Sequence, residues 1–483
     1  MDAAMTFWCL IRRVGVSLVV CAAGATAVEP ERPNIVVIMA DDMGYADLGV
    51  HGATDIKTKN LDRLAAEGVT FSSGYVTHSF CAPSRAGFFA GRYQHRFGFE
   101  WNPHYDPANP HLGLPESEVT FVQRLNDAGY RTGGVGKWHL GAASPFNPLN
   151  RGFDYFYGFL GGGHDYFKID LTAPVKTNYL GALVRNDQPA AFEGYLTDAL
   201  SADAVRFIER ESERDEPFFL YVGYNAPHAP LQAKSEDLSH YRHIESWHRR
   251  TYAAMVHAMD RGVGHILDAL EEAGERENTI VVFFSDNGGP VPNSWSGDGW
   301  WNGSSNEPLR EGKAFVNQGG VRVPFLISWP DRLPKGAVYD EPVISLDVAR
   351  TAVEVAGGDL SDGPTMDGIN LVPFVTGEAT STPERALFWR QDNGAQWAVR
   401  EGDLVAVGST RDGVATSLYD LSVDIGETND LSKERASDVL RLEQLFDEWN
   451  AGNMEFRFWN AGPYQQKLQE FYREGSGPEP MSD

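Results

Sequence analysis

Asn34-Ile35-Val36-Val37-Ile38-Met39-Ala40 is a near-continuous apolar run that ends on two adjacent acids, Asp41-Asp42. Such a run, without polar alternation, predicts a strand buried on both faces. Further strands are predicted over Tyr130 to Gly136, Pro217 to Tyr224, Asn278 to Ser285 and Val323 to Ser328. Helical patterns lie between them. One is capped at Thr58 and stopped by Gly68; others run over Val119 to Ala128, Thr197 to Arg210 and Trp247 to Ala273. The last carries apolar positions at Met255, Val256, Met259, Val263, Ile266, Leu267 and Leu270. Strands alternating with helices predict an α/β fold, with a large, mostly parallel sheet flanked by helices on both faces. Polar residues follow the strands directly: Asp41-Asp42, Lys137 and His139, His228, and Asp286-Asn287. Loops at the carboxyl ends of parallel strands line the ligand crevice of such a sheet. Four strand ends are therefore expected to converge on one site.

Val69 to Val76 reads as a strand leading toward Cys81-Ala82-Pro83-Ser84-Arg85. Pro83 suits a first helical turn, and Ala86 to Ala90 can continue the helix. Cys81 is expected just outside the helix N-terminus, where anions are favoured and a thiol pKa is lowered. The chain has three cysteines. Cys9 and Cys21 lie in a segment with Arg12-Arg13, an apolar stretch from Val14 to Ala23, and Ala25-Thr26-Ala27. That segment reads as a secretory signal over residues 1–27, predicting a secreted or periplasmic protein in which Cys81 has no disulfide partner. A lone cysteine is more often a small buried hydrophobe; Pro83, Ser84 and Arg85 argue otherwise here.

The 483 residues are too many for one ordinary core. Asn150 to Tyr166, rich in Gly and aromatics, reads as a loop containing Gly163-His164-Asp165. Leu371 to Pro383 turns loop-like. Strands then follow over Ala386 to Arg390, Gln396 to Arg400, Asp403 to Val407 and Thr416 to Asp420, and a helix over Ser437 to Trp449. The division expected is a catalytic domain over residues 28–376 and a C-terminal α+β subdomain with a short antiparallel sheet over 377–483, its last residues, 475–483, mobile. A net charge of −26 argues against nucleic-acid binding. No apolar run after the signal is long enough to span a bilayer, so no integral membrane segment is expected in the mature chain.

Asp41, Asp42, Asp286 and Asn287 offer hard oxygen donors, which suit Ca²⁺ or Mg²⁺. Singly they read as turn residues; together at strand ends they favour a metal site. Lys137 and His139, at i and i+2 of a strand-like continuation, would face the same side. His228 is held between Pro227 and Pro230.

Cys81-Ala82-Pro83-Ser84-Arg85, with Gly91 beyond, resembles the signature of the type I sulfatases, which have the alkaline phosphatase superfamily fold. The resemblance runs from about Arg32 to Leu431. It implies that a formylglycine-generating or anaerobic sulfatase-maturing enzyme oxidises Cys81 to formylglycine, whose hydrate is the nucleophile. It implies one Ca²⁺ held by Asp41, Asp42, Asp286, Asn287 and residue 81. It assigns sulfate binding to Lys137 and Lys313, the hydrate's second hydroxyl to His139, leaving-group protonation to His228 and support of the hydrate to Arg85. One departure stands out: Gln318, in Gln318-Gly319-Gly320-Val321-Arg322, occupies a place where the family has Glu. The substrate implied is a sulfated carbohydrate. Trp101, His164, Asp165 and Trp300 are the candidate sugar contacts, and Phe99, Glu100, His104, Trp295 and Trp301 lie in the same loops. Two other readings stand beside this one: a phosphate or phosphonate ester hydrolase on the same fold, and a non-catalytic glycan-binding homologue with unmodified Cys81.

Overall fold

The computed structural model describes residues 32–167, 183–292, 301–379, 382–410 and 415–456. The signal segment with Cys9 and Cys21, Trp295, Trp300 and the last residues, 475–483, lie outside them. In chain order the first elements are β1 (Asn34–Ala40), α1 (Lys59–Ala66), β2 (Val69–Phe71), β3 (Gly74–Tyr75), α2 (Cys81–Ala90), α3 (Phe121–Asp127), β4 (Arg131–Lys137) and β5 (Tyr155–Phe159). Then come β6 (Leu183–Arg185), β7 (Gln188–Pro189), α4 (Leu196–Glu211), β8 (Phe218–Gly223), α5 (Ser235–Ser239), α6 (Trp247–Glu272) and β9 (Thr279–Ser285). The remainder is α7 (Gln318–Val321), β10 (Phe325–Ser328), β11 (Ala337–Tyr339), β12 (Val343–Ile344), α8 (Ser345–Val355), α9 (Val372–Val375), β13 (Ala386–Gln391), β14 (Gln396–Glu401), β15 (Leu404–Ser409), β16 (Ser417–Asp420) and α10 (Ala436–Asn450).

Among the described residues the large sheet has ten strands, in the order β11-β2-β10-β9-β1-β8-β4-β5-β6-β7. Its centre, β9-β1-β8-β4-β5, is parallel throughout. Strand β1 lies in the middle and is buried along its whole length. Ile35, Val37 and Met39 face one core with α2, α3 and α8; Val36, Ile38 and Ala40 face the other with α1, α4 and α6. Burying each Val or Ile contributes about 1.5–3 kcal/mol relative to exposure, so neither face of β1 tolerates polar alternation. Ala40 pairs with Ser285 and Met39 with Gly223, which brings the carboxyl ends of β1, β8 and β9 level.

Two sequence expectations are corrected. The segment from Val69 to Val76 is two strands, because the chain turns at Ser72-Ser73: β2 joins the large sheet and β3 pairs with β12. The loop expected over Asn150 to Tyr166 contains β5, which runs parallel to β4. Glycines in β4 make room for its aromatics; a Cβ on Gly134 would sit 3.0 Å from the Phe156 ring. The sheet is mostly parallel, as expected; β10 runs antiparallel to β9 and β2, and beyond them β2 and β11 pair in parallel. Hydrophobic pattern alone carries no strand direction.

Strands β13 to β16 form an antiparallel sheet covered by α10. It shares a core with the larger part: Leu387, Trp389 and Ala398 pack with Tyr75, Val316, Val321 and Ile344. The Trp389 indole donates to the Val76 carbonyl at 2.7 Å.

Candidate active site

The site begins where β1 stops. The Asp41 N–H donates to the Ala226 carbonyl at 3.2 Å, and the Asp286 N–H donates to the Ala40 carbonyl at 3.0 Å. These two bonds lock the turns after β1, β8 and β9 to one another. Asp42 adopts a left-handed backbone (φ 66°); Asp tolerates this region better than most residues. The Asn287 amide donates to Asp42 Oδ1 at 2.7 Å. Helix α2 delivers Cys81 to the same place. Cys81 is its first helical residue, with Phe80 at the cap, so the helix begins one residue earlier than the sequence suggests. Donor atoms of Asp41, Cys81 and Asp286 lie within 4.8 Å of one another, as do those of Asp41, Asp42 and His228.

Cationic groups close around these carboxylates. Lys137, last in β4, places Nζ 2.6 Å from Asp41 Oδ2. Its approach depends on Gly136 (φ 100°), where a Cβ would lie 1.9 Å from the Gly223 carbonyl oxygen. Lys313 Nζ donates to Asp42 Oδ1 and Oδ2 at 2.7 and 2.8 Å. Arg85 Nε donates to Asp286 Oδ2 at 2.8 Å, and its Nη1 donates to the Lys137 carbonyl at 3.0 Å. His228 Nε2 lies 3.6 Å from Asp42 Oδ2, while its Nδ1 is 2.6 Å from the Ala229 carbonyl. His139 reaches the cluster by a left-handed backbone (φ 62°), not by the strand-like continuation expected from the i, i+2 spacing. It lies close enough to Lys137, Arg85, His228 and Lys313 for their charges to act on its ring. All ten side chains are buried, Lys313 being the most exposed at 5%.

Burial governs the electrostatics. It pushes the Asp41 carboxyl well up, aided by the charge of Asp286 and opposed by Lys137. Burial also works against the Asp42 carboxylate, but Lys313 and His228 outweigh it and hold its pKa low. Burial lowers both His139 and His228, with the neighbouring lysines adding to the effect. The Cys81 thiol is raised by burial, which exceeds the pull of Lys137 and Lys313; the lowered thiol pKa expected at a helix N-terminus is therefore not found.

Crowded buried carboxylates of this kind are relieved by a cation. Asp41 Oδ1 and Asn287 Oδ1 are buried acceptors with no hydrogen-bond donor among the described residues. Asp41, Asp42, Asp286 and Asn287 offer hard oxygen donors, so these residues fit a calcium or magnesium ion.

The candidate sugar contacts are spread differently. His164 and Asp165 adjoin the turn that carries His228. The Asn225 amide donates to the His164 carbonyl at 2.8 Å, and the Tyr166 hydroxyl donates to the His228 carbonyl at 2.8 Å. Trp101 is packed against Phe80 and Ala314, its indole donating to Asp392 Oδ1 at 2.9 Å. Glu100 is buried against Arg390, and Trp301 donates to the Ser304 carbonyl at 2.9 Å. Trp300 lies outside the described residues. Gln318 accepts from the Tyr75 hydroxyl at 2.5 Å, and its backbone N–H donates to Glu427 Oε2 at 3.0 Å.

Two residues at the site escape sequence reasoning. Tyr221, in the middle of apolar β8, accepts from Arg85 Nη1 at 2.7 Å; its lone hydroxyl in an apolar strand is the only sequence signal. Asn102 Oδ1 accepts the Ala82 N–H at 3.0 Å, a tertiary contact with no local signature.

Paired carboxylates, two lysines and two histidines around a helix N-terminus, at the carboxyl ends of parallel strands, define a hydrolase of anionic esters. The comparisons narrow the class. The family described as Sulfatase matches residues 33–358, and that described as N-sulphoglucosamine sulphohydrolase, C-terminal, matches residues 311–448. N-acetylgalactosamine-6-sulfatase of Canis lupus familiaris is 35% identical over 398 residues, 79% of this chain and 72% of that protein. Arylsulfatase H of Homo sapiens is 32% identical over 432 residues, 74% of this chain and 75% of that protein. The solved structure of Ps i-CgsB in complex with k-i-k-neocarrahexaose superimposes with a TM-score of 0.83 at 35% identity, covering 92% of this chain and 98% of that one. The chain belongs to the sulfatase family and is a sulfuric ester hydrolase.

Proposed function

We propose that this hydrolase removes sulfate from a sulfated carbohydrate, a polysaccharide or its oligosaccharides, using formylglycine at position 81 and one Ca²⁺. The observation that carries this reading is the enclosure of Cys81 by buried carboxylates and cations. The substrate class is supported by two of the similar proteins, one named for N-acetylgalactosamine-6-sulfate chemistry and one solved with k-i-k-neocarrahexaose.

Cys81 Sγ stands in for a hydroxyl of the hydrated aldehyde, which supplies the oxygen nucleophile once the residue is matured. Ca²⁺ bound by Asp41, Asp42, Asp286, Asn287 and residue 81 would supply positive charge beside the sulfuryl oxygens. The chain's own residues do the rest. Lys137 and Lys313, each held on a carboxylate, are pre-positioned to bind the sulfuryl group's negative charge. His228 donates Nδ1–H to the Ala229 carbonyl, which leaves Nε2 as the atom that takes up a proton when the anionic ester binds and passes it to the departing alcohol. His139 takes the proton of the second hydroxyl as sulfate leaves. Arg85 keeps Asp286 and the Lys137 backbone in place. His164 and Asp165, beside the His228 turn, and Trp101 and Trp300 are the proposed sugar contacts.

The same reading has residues 1–27 direct the protein to the periplasm or outside, and a formylglycine-generating or anaerobic sulfatase-maturing enzyme act on Cys81. It assigns catalysis to residues 28–376 and a supporting subdomain to 377–483. The test is a screen of the matured enzyme over sulfated mono- and oligosaccharides and the matching phosphate esters. Sulfate release from at least one sugar is expected. Turnover of phosphate esters alone would favour the phosphatase reading; an inert protein whose mass shows unmodified Cys81 would favour the glycan-binding one.

A further inference from the structure

We propose that Asn102 holds residue 81 in its hydrated form and orients the hydroxyl that becomes the nucleophile; this rests on the formylglycine reading given above. Asn102 Oδ1 lies 3.6 Å from Cys81 Sγ, the atom in the place of a hydroxyl. The same oxygen accepts the Ala82 N–H at 3.0 Å. That bond decides which way the amide faces, because a backbone N–H requires an acceptor. Residue 81 therefore meets lone pairs and not an NH₂ group. The position is held firmly. Neighbouring Trp101 is packed on Phe80 with ring centroids 5.1 Å apart and is tied to Asp392.

The chemistry follows from what each form of residue 81 can donate. An aldehyde oxygen carries only lone pairs, and facing Asn102 Oδ1 it makes no hydrogen bond. Hydration adds water across the carbonyl: the water oxygen bonds to carbon and one proton moves to the former carbonyl oxygen. Nothing is oxidised or reduced. The product carries O–H groups, one of which can donate to Asn102. Arg85 and Lys137 already engage Asp286 and Asp41, two carboxylates beside Cys81 that also form the cation site. Asn102 is a neutral acceptor outside that site and distinct from His139, which is assigned the later proton transfer. Its weaker alternative is to cap α2 alone, since Phe80 supplies no side-chain cap. One net hydrogen bond shifts the hydrate-to-aldehyde ratio by about two- to tenfold.

Cys81 is the only cysteine beyond residue 27, so ¹³Cβ-cysteine labelling gives one reporter in the mature protein. Carbon NMR on the folded holoenzyme then separates the hydrate from the aldehyde. Wild type and Asn102→Asp, which keeps an acceptor, are expected to rest mainly as hydrate. Asn102→Ala should shift the ratio toward aldehyde by about two- to tenfold and speed oxime formation with an aminooxy probe by the same factor. The mass loss of about 18 Da that marks conversion should be equal in all three. An unchanged ratio and labelling rate in Asn102→Ala would overturn the proposal, leaving Asn102 a helix cap. Wild type resting mainly as aldehyde would overturn it without any variant, which decides the matter if Asn102→Ala does not fold. Absence of the mass loss in wild type instead defeats the formylglycine reading, and this proposal with it.

Discussion

Arg85 donates to Asp286 across 2.8 Å with neither side chain exposed. The same guanidinium reaches the Lys137 carbonyl and the Tyr221 hydroxyl. One side chain on α2 therefore ties together the ends of β4 and β9 and the middle of β8. Removing one partner of a buried pair leaves the other charge uncompensated, at a cost of about 3–5 kcal/mol. Arg85→Met is expected to destabilise the chelated protein by about that amount in urea unfolding. Arg85→Lys should recover little, because an ammonium lacks the planar fork that serves three acceptors. A loss below about 1 kcal/mol would show the pair behaving like a surface ion pair.

Cys81→Ala is expected to abolish sulfate release while thermal unfolding stays within a few degrees of wild type, since only a small buried side chain is truncated. Cys81→Ser should form a sulfate ester at most once, because serine has no second hydroxyl from which to expel sulfate. Repeated turnover by either variant at the wild-type rate would rule out a formylglycine nucleophile.

Chelation should lower both activity and the unfolding temperature, because Asp41 and Asp286 then face each other without a cation. Ca²⁺ should restore both better than Zn²⁺, given the hard oxygen donors of Asp41, Asp42, Asp286 and Asn287. Asp41→Asn removes one of the repelling charges. It should narrow the thermal gap between chelated and Ca²⁺-loaded protein while weakening Ca²⁺ binding in titration calorimetry. Full activity in protein shown by elemental analysis to be metal-free would refute the metal's role.

What was legible in the sequence follows from which forces are local. Asp41-Asp42 and Asp286-Asn287 could be placed at strand ends because they interrupt apolar runs, and a run buried on both faces has few other readings. The position of Lys137 was legible for the same reason. How His139 arrives was not: its left-handed backbone is set by tertiary packing, and the i, i+2 argument predicts a different path. Strand β5 was hidden because its aromatics and glycine match a loop until the glycines of β4 are seen beside them. The effect of Cys81 burial on its thiol could not be read either, since helix-terminus reasoning is local and desolvation depends on the whole fold. Contacts across long sequence separations, such as Asn102 to Ala82 and Glu427 to Gln318, leave no local pattern at all.

Glu427 offers a pH test away from the cation site. Its carboxylate, from the segment after β16, accepts the Gln318 N–H at 3.0 Å and the Asn317 amide at 3.4 Å, at the end of the segment that carries Lys313. Burial raises its pKa from 4.5 to about 7 against these hydrogen bonds. A raised carboxyl means that the folded state holds the proton more tightly than the unfolded state. The stability it contributes is therefore fully present below 4.5 and is lost as the pH climbs through about 7. Glu427→Gln does not titrate. Its unfolding free energy should fall less than that of wild type between about pH 5 and pH 8, and exceed it at the upper end. Parallel profiles for the two proteins would show that Glu427 ionises freely in the fold.

His228 decides how the leaving alcohol departs. Its Nδ1 is engaged by the Ala229 carbonyl, and its Nε2 faces the site 3.6 Å from Asp42. Burial and the two lysines favour the neutral ring, with Asp42 opposing them. An arriving sulfate monoester places negative charge between those lysines and His228, which favours the protonated ring at the moment it must donate. Such donation matters most for a poor leaving group. A sugar alcohol needs its proton as the S–O bond breaks, whereas a nitrophenol departs as an anion. General acid catalysis is worth about 10²–10⁴-fold where it is needed. His228→Ala should therefore lose about that factor in kcat/KM on a sulfated sugar and far less on an activated aryl sulfate. Comparing kcat/KM on both substrates separates proton donation from loss of binding, which would affect the two alike. Equal losses would make His228 a sulfate-binding residue only, and the proton would have to come from Lys313 or His164.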